Sequence, residues 1–402
     1  MGEQASRHII IACHAWYGDL IGGSFRLASE FAEHLASIGH LVSYVCCQIN
    51  TSDAATEAKG NLTIHRYPSP DGKSRLSKFR YHINETKKLV SQLHRVNPLV
   101  AVSGHSPLQG LGALAAVQAG DVTTNYTVHS PFEEEILSNA GKHANLSRRC
   151  AAFMARRVDR KNVRLAQQLQ TDSQYTMNVF RKRFGERHVC RGVVAPGWVD
   201  TQVFQPATDR QSLKSDLGKQ WNTSLPVFFT LRRLQNRMGL DTLIEACRLL
   251  RNDGYEFRTL IGGGGPLQNV LQQQIDASDL NQSVRLLGRL PEEQLAASYA
   301  AADCFILPTR ALECFGLIVL EALACDTPVI ASNVAAIPEL AARQGEDWMF
   351  TSGDANQLYQ RMASFLNGTL KPTQNLRHIA EEFDKLKILE QWSDILLSEV
   401  SK

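Results

Sequence analysis

The sequence predicts an α/β protein of two domains, each wound around a parallel sheet. Three observations carry that prediction. The chain opens strand–helix–strand: apolar residues 7–13 and 41–46 flank an amphipathic stretch at 22–37, and such a unit makes a parallel pair. A second series of the same kind begins at Val227. At 402 residues the chain is too long for one ordinary core.

Composition narrows the class. Hydrophobic residues make up 44% and charged residues 21%, as in soluble globular proteins. A net charge of +3 is too small to imply nucleic acid, and no groove-reading motif accompanies the basic residues. Nine cysteines are scattered without a C-x-x-C pair, which suits reduced thiols in a cytoplasmic protein, without a disulfide frame or zinc site. Cys314, inside the key loop described below, is the cysteine expected to be open to alkylation. No run approaches the ~18 apolar residues of a membrane span. The N-terminus lacks the shape of a signal peptide. Met1-Gly2 with Ser6 matches a myristoylation pattern that is common by chance.

In the first half, Gly22-Gly23 opens the first helix, and paired glycines let backbone approach a phosphate closely or simply make a tight turn. Residues 62–67 read as a strand and 78–96 as a long helix. Strands at 99–103 and 124–128 end at His105 and His129, on the sheet edge where ligands bind. Between Ala140 and Arg191 there are thirteen Lys or Arg against three Asp or Glu. That region, 142–191, is either a solvated helix face or a surface for anionic lipid headgroups or a phosphate-bearing acceptor.

In the second half, residues 227–231 form a strand ending in Arg232 and Arg233, and arginines at such an edge are well placed to clamp a diphosphate. Gly262 to Gly265 end the next strand; repeated glycine allows close ligand approach but is not the dinucleotide fingerprint. Residues 286–290 end the strand after that. The apolar run 304–307 is a buried strand, and a helix starts near Phe315-Gly316 and ends before Thr327-Pro328. Its first N–H groups point out unpaired and favour an anion. Glu313 precedes that helix and Glu321 lies about 8 Å along it. A phosphate therefore belongs on the backbone of Phe315, Gly316 and Leu317, with a hydroxyl-bearing sugar on each glutamate.

The stretch Pro-Thr-x-x-x-Glu-x-Phe-Gly-Leu, with Glu313 and Glu321 spaced across it, resembles the donor site of the retaining glycosyltransferases of family 4. The resemblance extends over about residues 8–370. It implies a GT-B fold, two Rossmann-like domains facing across a cleft. The expected boundaries are 1–207 for the acceptor-side domain, 208–375 for the nucleotide-sugar domain, and 376–402 for a helix packing back on the first. It implies that Glu313 meets the transferred sugar and Glu321 the ribose, that His129 contacts the sugar, and that Gly22, Gly23, Gly263, Gly265, Arg289 and Leu290 line the donor. Arg233 and Arg237 then hold the diphosphate, although Met238 stands where the family has lysine. Asp326 stands where it has glycine, and Asp tolerates left-handed backbone. No metal is expected, since there is no Asp-x-Asp, and no cofactor beyond the nucleotide-sugar substrate. The expected partners are that donor and an unidentified hydroxyl acceptor, with peripheral contact at the inner face of a membrane through 142–191. A nucleotide-sugar epimerase and a degenerate nucleotide-sugar-binding protein are the rival readings.

Overall fold

The structure, a computed structural model, describes residues 7–72, 74–117, 122–138, 146–189, 191–221 and 223–398. The Met1-Gly2-Ser6 pattern, Lys142 and Cys190 lie outside the described residues. The chain forms two compact units, residues 1–197 with 386–402, and residues 198–385.

The first unit holds β1 (His8–Ala12), β2 (Leu41–Cys47), β3 (Thr56–Lys59), β4 (Leu62–Tyr67), β5 (Ala101–Gly104), β6 (Thr123–Val128), β7 (Gln168–Thr171) and β8 (Gly192–Val194). They order β3-β4-β2-β1-β5-β6-β7-β8, parallel except for β3 against β4. Every residue of β1 is buried, because helices cover both faces of a parallel sheet, and its Ile9-Ile10-Ile11 run reads accordingly. The polar edge strand β3, Thr-Glu-Ala-Lys, offers no apolar signal and blunts the sheet edge. The expected long helix runs Arg75–Val96, capped by Ser74 Oγ accepting from the Ser77 N–H.

The second unit holds β9 (Val227–Leu231), β10 (Arg258–Gly262), β11 (Val284–Gly288), β12 (Cys304–Leu307), β13 (Val329–Ser332) and β14 (Met349–Phe350). They order β11-β10-β9-β12-β13-β14, all parallel. Adjacent strand residues face opposite ways, so Phe229 joins Tyr299, Phe305 and Leu320 on one side while Phe228 joins Ile244, Ile261 and Ile306 on the other. The winding reverses between β9 and β12. Their C-terminal ends therefore diverge into a crevice, the place where doubly wound sheets bind ligands.

The division between units falls before the expected boundary at 207, and the chain rejoins the first unit later than 376. Val199, Phe204, Leu376 and Ile379 are buried in the second unit's core, whereas Trp392 packs on Phe31 of the first.

Candidate functional site

Two loops meet over the β9/β12 crevice. One follows β9 through residues 232–239, the other follows β12 through 308–316. They are pinned by the Arg310 N–H donating to the Arg237 carbonyl at 2.7 Å. Arg232 crosses between them. Its Nη2 donates to Glu313 Oε2 at 2.6 Å and to Thr309 Oγ1 at 3.0 Å, and touches Met238 Sδ at 3.0 Å. Its side chain is 8% exposed and that of Glu313 19%, so the charges meet in a largely desolvated place where attraction is strong. Arg237 Nη1 donates to the Leu312 carbonyl at 2.7 Å. Leu312 sits at φ 57°, a left-handed conformation. For a leucine that costs roughly 1–2 kcal/mol. The Ala336 N–H, donating to the Glu313 carbonyl at 3.0 Å, helps hold the loop in this strained path.

The helix opens at Leu317, later than expected, because Gly316 takes φ 96° as its N-cap, and it ends at Ala324. Phe315 turns its ring inward against Phe383, which leaves the backbone of 315–317 to present the N–H groups. Glu321 is buried among the apolar side chains of this helix. Tyr299 lies beside it. Burial first, and then the Glu321 carboxylate, raise the phenol well above its usual range. Asp326 closes the following turn at φ 55°. Cys314 is buried, against the expectation of an open thiol, and Cys150 is the exposed cysteine among the described residues.

The glycine-rich turn after β10 serves the protein's own backbone. A Cβ on Gly263 would lie 1.9 Å from the Arg232 carbonyl oxygen, and one on Gly265 would lie 2.6 Å from that of Leu234. The close approach that Gly263 and Gly265 permit is thus made by residues 232–234; only Gly264 between them faces open space. Leu290 packs against the end of β10 beside Gly262, and Arg289 is exposed.

In the first unit, adjacent strands β5, β6 and β7 deliver a line of polar side chains. His129 Nδ1 lies 2.8 Å from Asp172 Oδ2, His129 Nε2 3.2 Å from His105 Nδ1, and His105 Nε2 3.0 Å from Ser103 Oγ. An ionised carboxylate only accepts, so His129 Nδ1 carries a hydrogen. With His129 neutral, its Nε2 accepts from His105 Nδ1–H, and His105 Nε2 accepts from Ser103 Oγ–H. Trp392 stacks on both imidazoles, with ring centroids 5.8 and 6.2 Å away. Burial, then the neighbouring His129, hold His105 well below its ordinary pKa. Asp159 fixes the loop after β6 from behind: its Oδ2 accepts from the Phe132 N–H and its Oδ1 from the Tyr126 hydroxyl. Burial raises this carboxyl to about 7. Both ring nitrogens of His129 are therefore engaged inside the protein. Gly22 caps the helix Gly23–Ser37 in ordinary extended backbone, with the Phe25 ring against it. Asp19, just before these glycines, is held bidentately by Arg66 at 2.7 and 3.0 Å.

Residues 214–383 match the profile of the family "Glycosyl transferases group 1", and residues 21–203 match that of "Glycosyltransferase Family 4". The chain belongs to the group 1, family 4 glycosyltransferases. Over 175 residues this family 4 chain is 34% identical to a GDP-mannose-dependent monoacylated alpha-(1-6)-phosphatidylinositol monomannoside mannosyltransferase of Corynebacterium glutamicum, a match covering 42% of this chain and 44% of that one. The match thus spans under half of the curated relative's length. Among solved structures, sucrose-phosphate synthase from Thermosynechococcus elongatus superposes with a TM-score of 0.80 at 19% identity, covering 97% of this chain and 98% of that one. Anabaena HepE in complex with UDP and glucose gives 0.75 at 18%, covering 98% and 100%. These neighbours share the GT-B fold.

Within this family 4 chain the structure brings Glu313, Arg237 and the 315–317 backbone to one crevice, with Glu321 buried in the helix that lines it. Arg233, expected to hold the diphosphate, is exposed, and its neighbour Arg232 is the one on Glu313. The sequence put both arginines at this strand edge, and the resemblance singled out Arg233; neighbouring residues leave a strand end on opposite sides, and it is Arg232 that turns to Glu313.

Proposed function

We propose that the protein transfers a hexose-type sugar from a nucleotide-diphosphate sugar to a hydroxyl acceptor, with retention of anomeric configuration and without a metal. One observation supports this above the others: Arg232 pairs with Glu313 and Arg237 holds the Leu312 carbonyl, both in the loop that leads into the helix at the switch point of the second sheet. Departure of a nucleoside diphosphate builds negative charge, and two guanidinium groups with a run of backbone N–H groups offset it where water is scarce. Glu313, held by Arg232, would accept from sugar hydroxyls, and the buried Glu321 would take the paired ribose hydroxyls. The two arginines supply the charge that a divalent ion provides elsewhere. Relatives named for GDP-mannose and neighbours solved with UDP leave both bases to be tried.

A screen of GDP- and UDP-sugars for nucleotide release tests the reading. We expect slow release alone, acceleration by a hydroxyl acceptor, no loss on adding EDTA, and at least a 100-fold fall in the Glu313→Ala protein. Release indifferent to Glu313 would remove the site. Sugar isomerisation without an acceptor would indicate an epimerase, and binding without turnover a degenerate binding protein.

The location proposal rests on the helix Leu146–Leu165. Its outward face sets Leu146 (78% exposed) and Phe153 (57%) beside exposed Arg149, Arg157, Arg160, Lys161 and Arg164. Arg183, in the same basic region, is already taken up by Glu133 and Glu134. Cations near an anionic bilayer contribute about 1 kcal/mol each, and the apolar pair can insert. We expect the protein to float with phosphatidylserine vesicles, to stay behind with phosphatidylcholine alone, and to be released by salt. Equal behaviour with both lipids, or full binding by Arg157→Glu/Lys161→Glu, would show the face to be merely solvated. Among the described residues no helix is long and apolar enough to cross a membrane.

A further inference from the structure

The first unit contains a cavity of about 350 Å³ at the C-terminal ends of β1, β5 and β6. The resemblance puts His129, at one end of it, against the transferred sugar and gives the rest of the cavity no ligand of stated chemistry. We infer that it takes an uncharged pyranoside, the non-reducing end of a neutral glycan, in preference to a phosphate-bearing sugar or lipid headgroup. This deepens the transferase reading, on which the word acceptor rests, by naming the chemistry of the acceptor.

The wall chemistry carries the inference. Part of the lining is aromatic: Phe79 and Phe132 stack at 5.4 Å, and Phe25 lines the same space. Flat rings of this kind suit the C–H face of a pyranose. Another part is polar and made of neutral groups. Gln109 Nε2 donates to the Tyr67 hydroxyl at 2.7 Å and lies 3.4 Å from His14 Nδ1, while His82 Nδ1 is 2.9 Å from the same Tyr67 hydroxyl. Directional neutral donors and acceptors together with aromatic rings match a ring of hydroxyls.

The charge inventory weighs against the phosphate alternative. Four histidines line the cavity, and burial lowers the pKa of His14, His82 and His105, the second to about 4, so these stay neutral at physiological pH. The fourth, His129, has both nitrogens committed to Asp172 and His105. Any charge on His129 would be offset by the Asp172 carboxylate 2.8 Å away. The other charged residues among the described lining are Lys78 and Glu135, whose carboxylate accepts from Ser130 Oγ at 3.1 Å. No described arginine lines the cavity, and burying a phosphate without paired, charge-assisted donors is costly.

Binding to the full chain tests this without requiring turnover. Methyl glucoside, galactoside and mannoside are titrated by saturation-transfer NMR against the matching hexose 6-phosphates, each with and without UDP or GDP. We expect at least one neutral glycoside to bind with its strongest saturation on one ring face, and its 6-phosphate to bind ten-fold or more weakly. Phe79→Ala should weaken the glycoside about five-fold, the loss of one aromatic contact. Phe79→Leu, which keeps the apolar bulk, guards against a folding defect and should show an intermediate loss. Equal or tighter binding of the phosphates, binding indifferent to both Phe79 variants, or no glycoside binding under any condition would each overturn the inference. A transferase that turns over while its acceptor proves anionic would sink this inference alone. Glycoside binding without nucleotide-sugar turnover would sink only the transferase reading.

Discussion

Arg232→Met lowers nucleotide release by roughly 100- to 1,000-fold, the loss expected for one preorganised donor to a developing charge, whereas Arg233→Met costs less than ten-fold. The two residues are adjacent and chemically identical, so the contrast isolates position. Arg232 is nearly enclosed and reaches Glu313, Thr309 and Met238 with one nitrogen, while Arg233 is exposed. Met238 sits where the family resemblance places a lysine, and the Arg232 guanidinium touches its sulfur. We propose that the positive charge missing from position 238 is supplied from 232, beside the Arg237 that the sequence reading put in that role. Two further results follow. Met238→Lys in the wild-type background brings a second cation against the guanidinium and should lower activity. Met238→Lys with Arg232→Met should recover at least ten-fold over Arg232→Met alone. Steady-state nucleotide release by the four proteins forms a double-mutant cycle whose coupling measures the exchange. Additive losses would mean that the two positions do not share one role. Arg233→Met matching Arg232→Met would return the diphosphate to Arg233.

Much of this arrangement could be read from residues before any coordinates. Continuous apolar runs such as Ile9-Ile10-Ile11 and Phe305-Ile306-Leu307 announce strands buried on both faces, and parallel sheets need such strands. The Glu313 and Glu321 spacing was legible because the helix between them is apolar nearly all round, which makes a carboxylate there conspicuous. What escaped were features set by tertiary contact. The polar edge strand Thr56–Lys59 exists because Leu62–Tyr67 offers it a partner, not because of its composition. The choice between Arg232 and Arg233 depends on which way β9 leaves the sheet. The His129–Asp172 pair joins residues from different strands, 43 positions apart, and nothing local marks Asp172. The glycines were seen, but not the protein's own backbone beside Gly263 and Gly265, since a sequence says that a backbone comes close without saying whose.

That last point predicts the largest stability effect in the chain. Gly239→Ala should destabilise the second unit by more than 3 kcal/mol, enough to abolish cooperative melting of that unit near ambient temperature. A Cβ on Gly239 would lie 1.8 Å from the Pro308 carbonyl oxygen, far inside van der Waals contact, at a backbone φ of 69° that alanine disfavours. Relief requires the two loops to part. The Arg310 N–H to Arg237 carbonyl bond is the first contact broken, and Arg237 then leaves Leu312. Stability and the diphosphate site are therefore lost through one displacement. Gly264→Ala is the matched control: its Cβ meets nothing within 4 Å and its backbone does not need glycine, so it should change stability by less than 1 kcal/mol. Urea unfolding followed by tryptophan fluorescence measures both, with Trp221 and Trp348 buried in the second unit as reporters. A Gly239→Ala protein as stable as wild type would mean that the loops carrying Arg237 and Glu313 are not packed against each other. The crevice in which Arg232 meets Glu313 would then not be a preformed site.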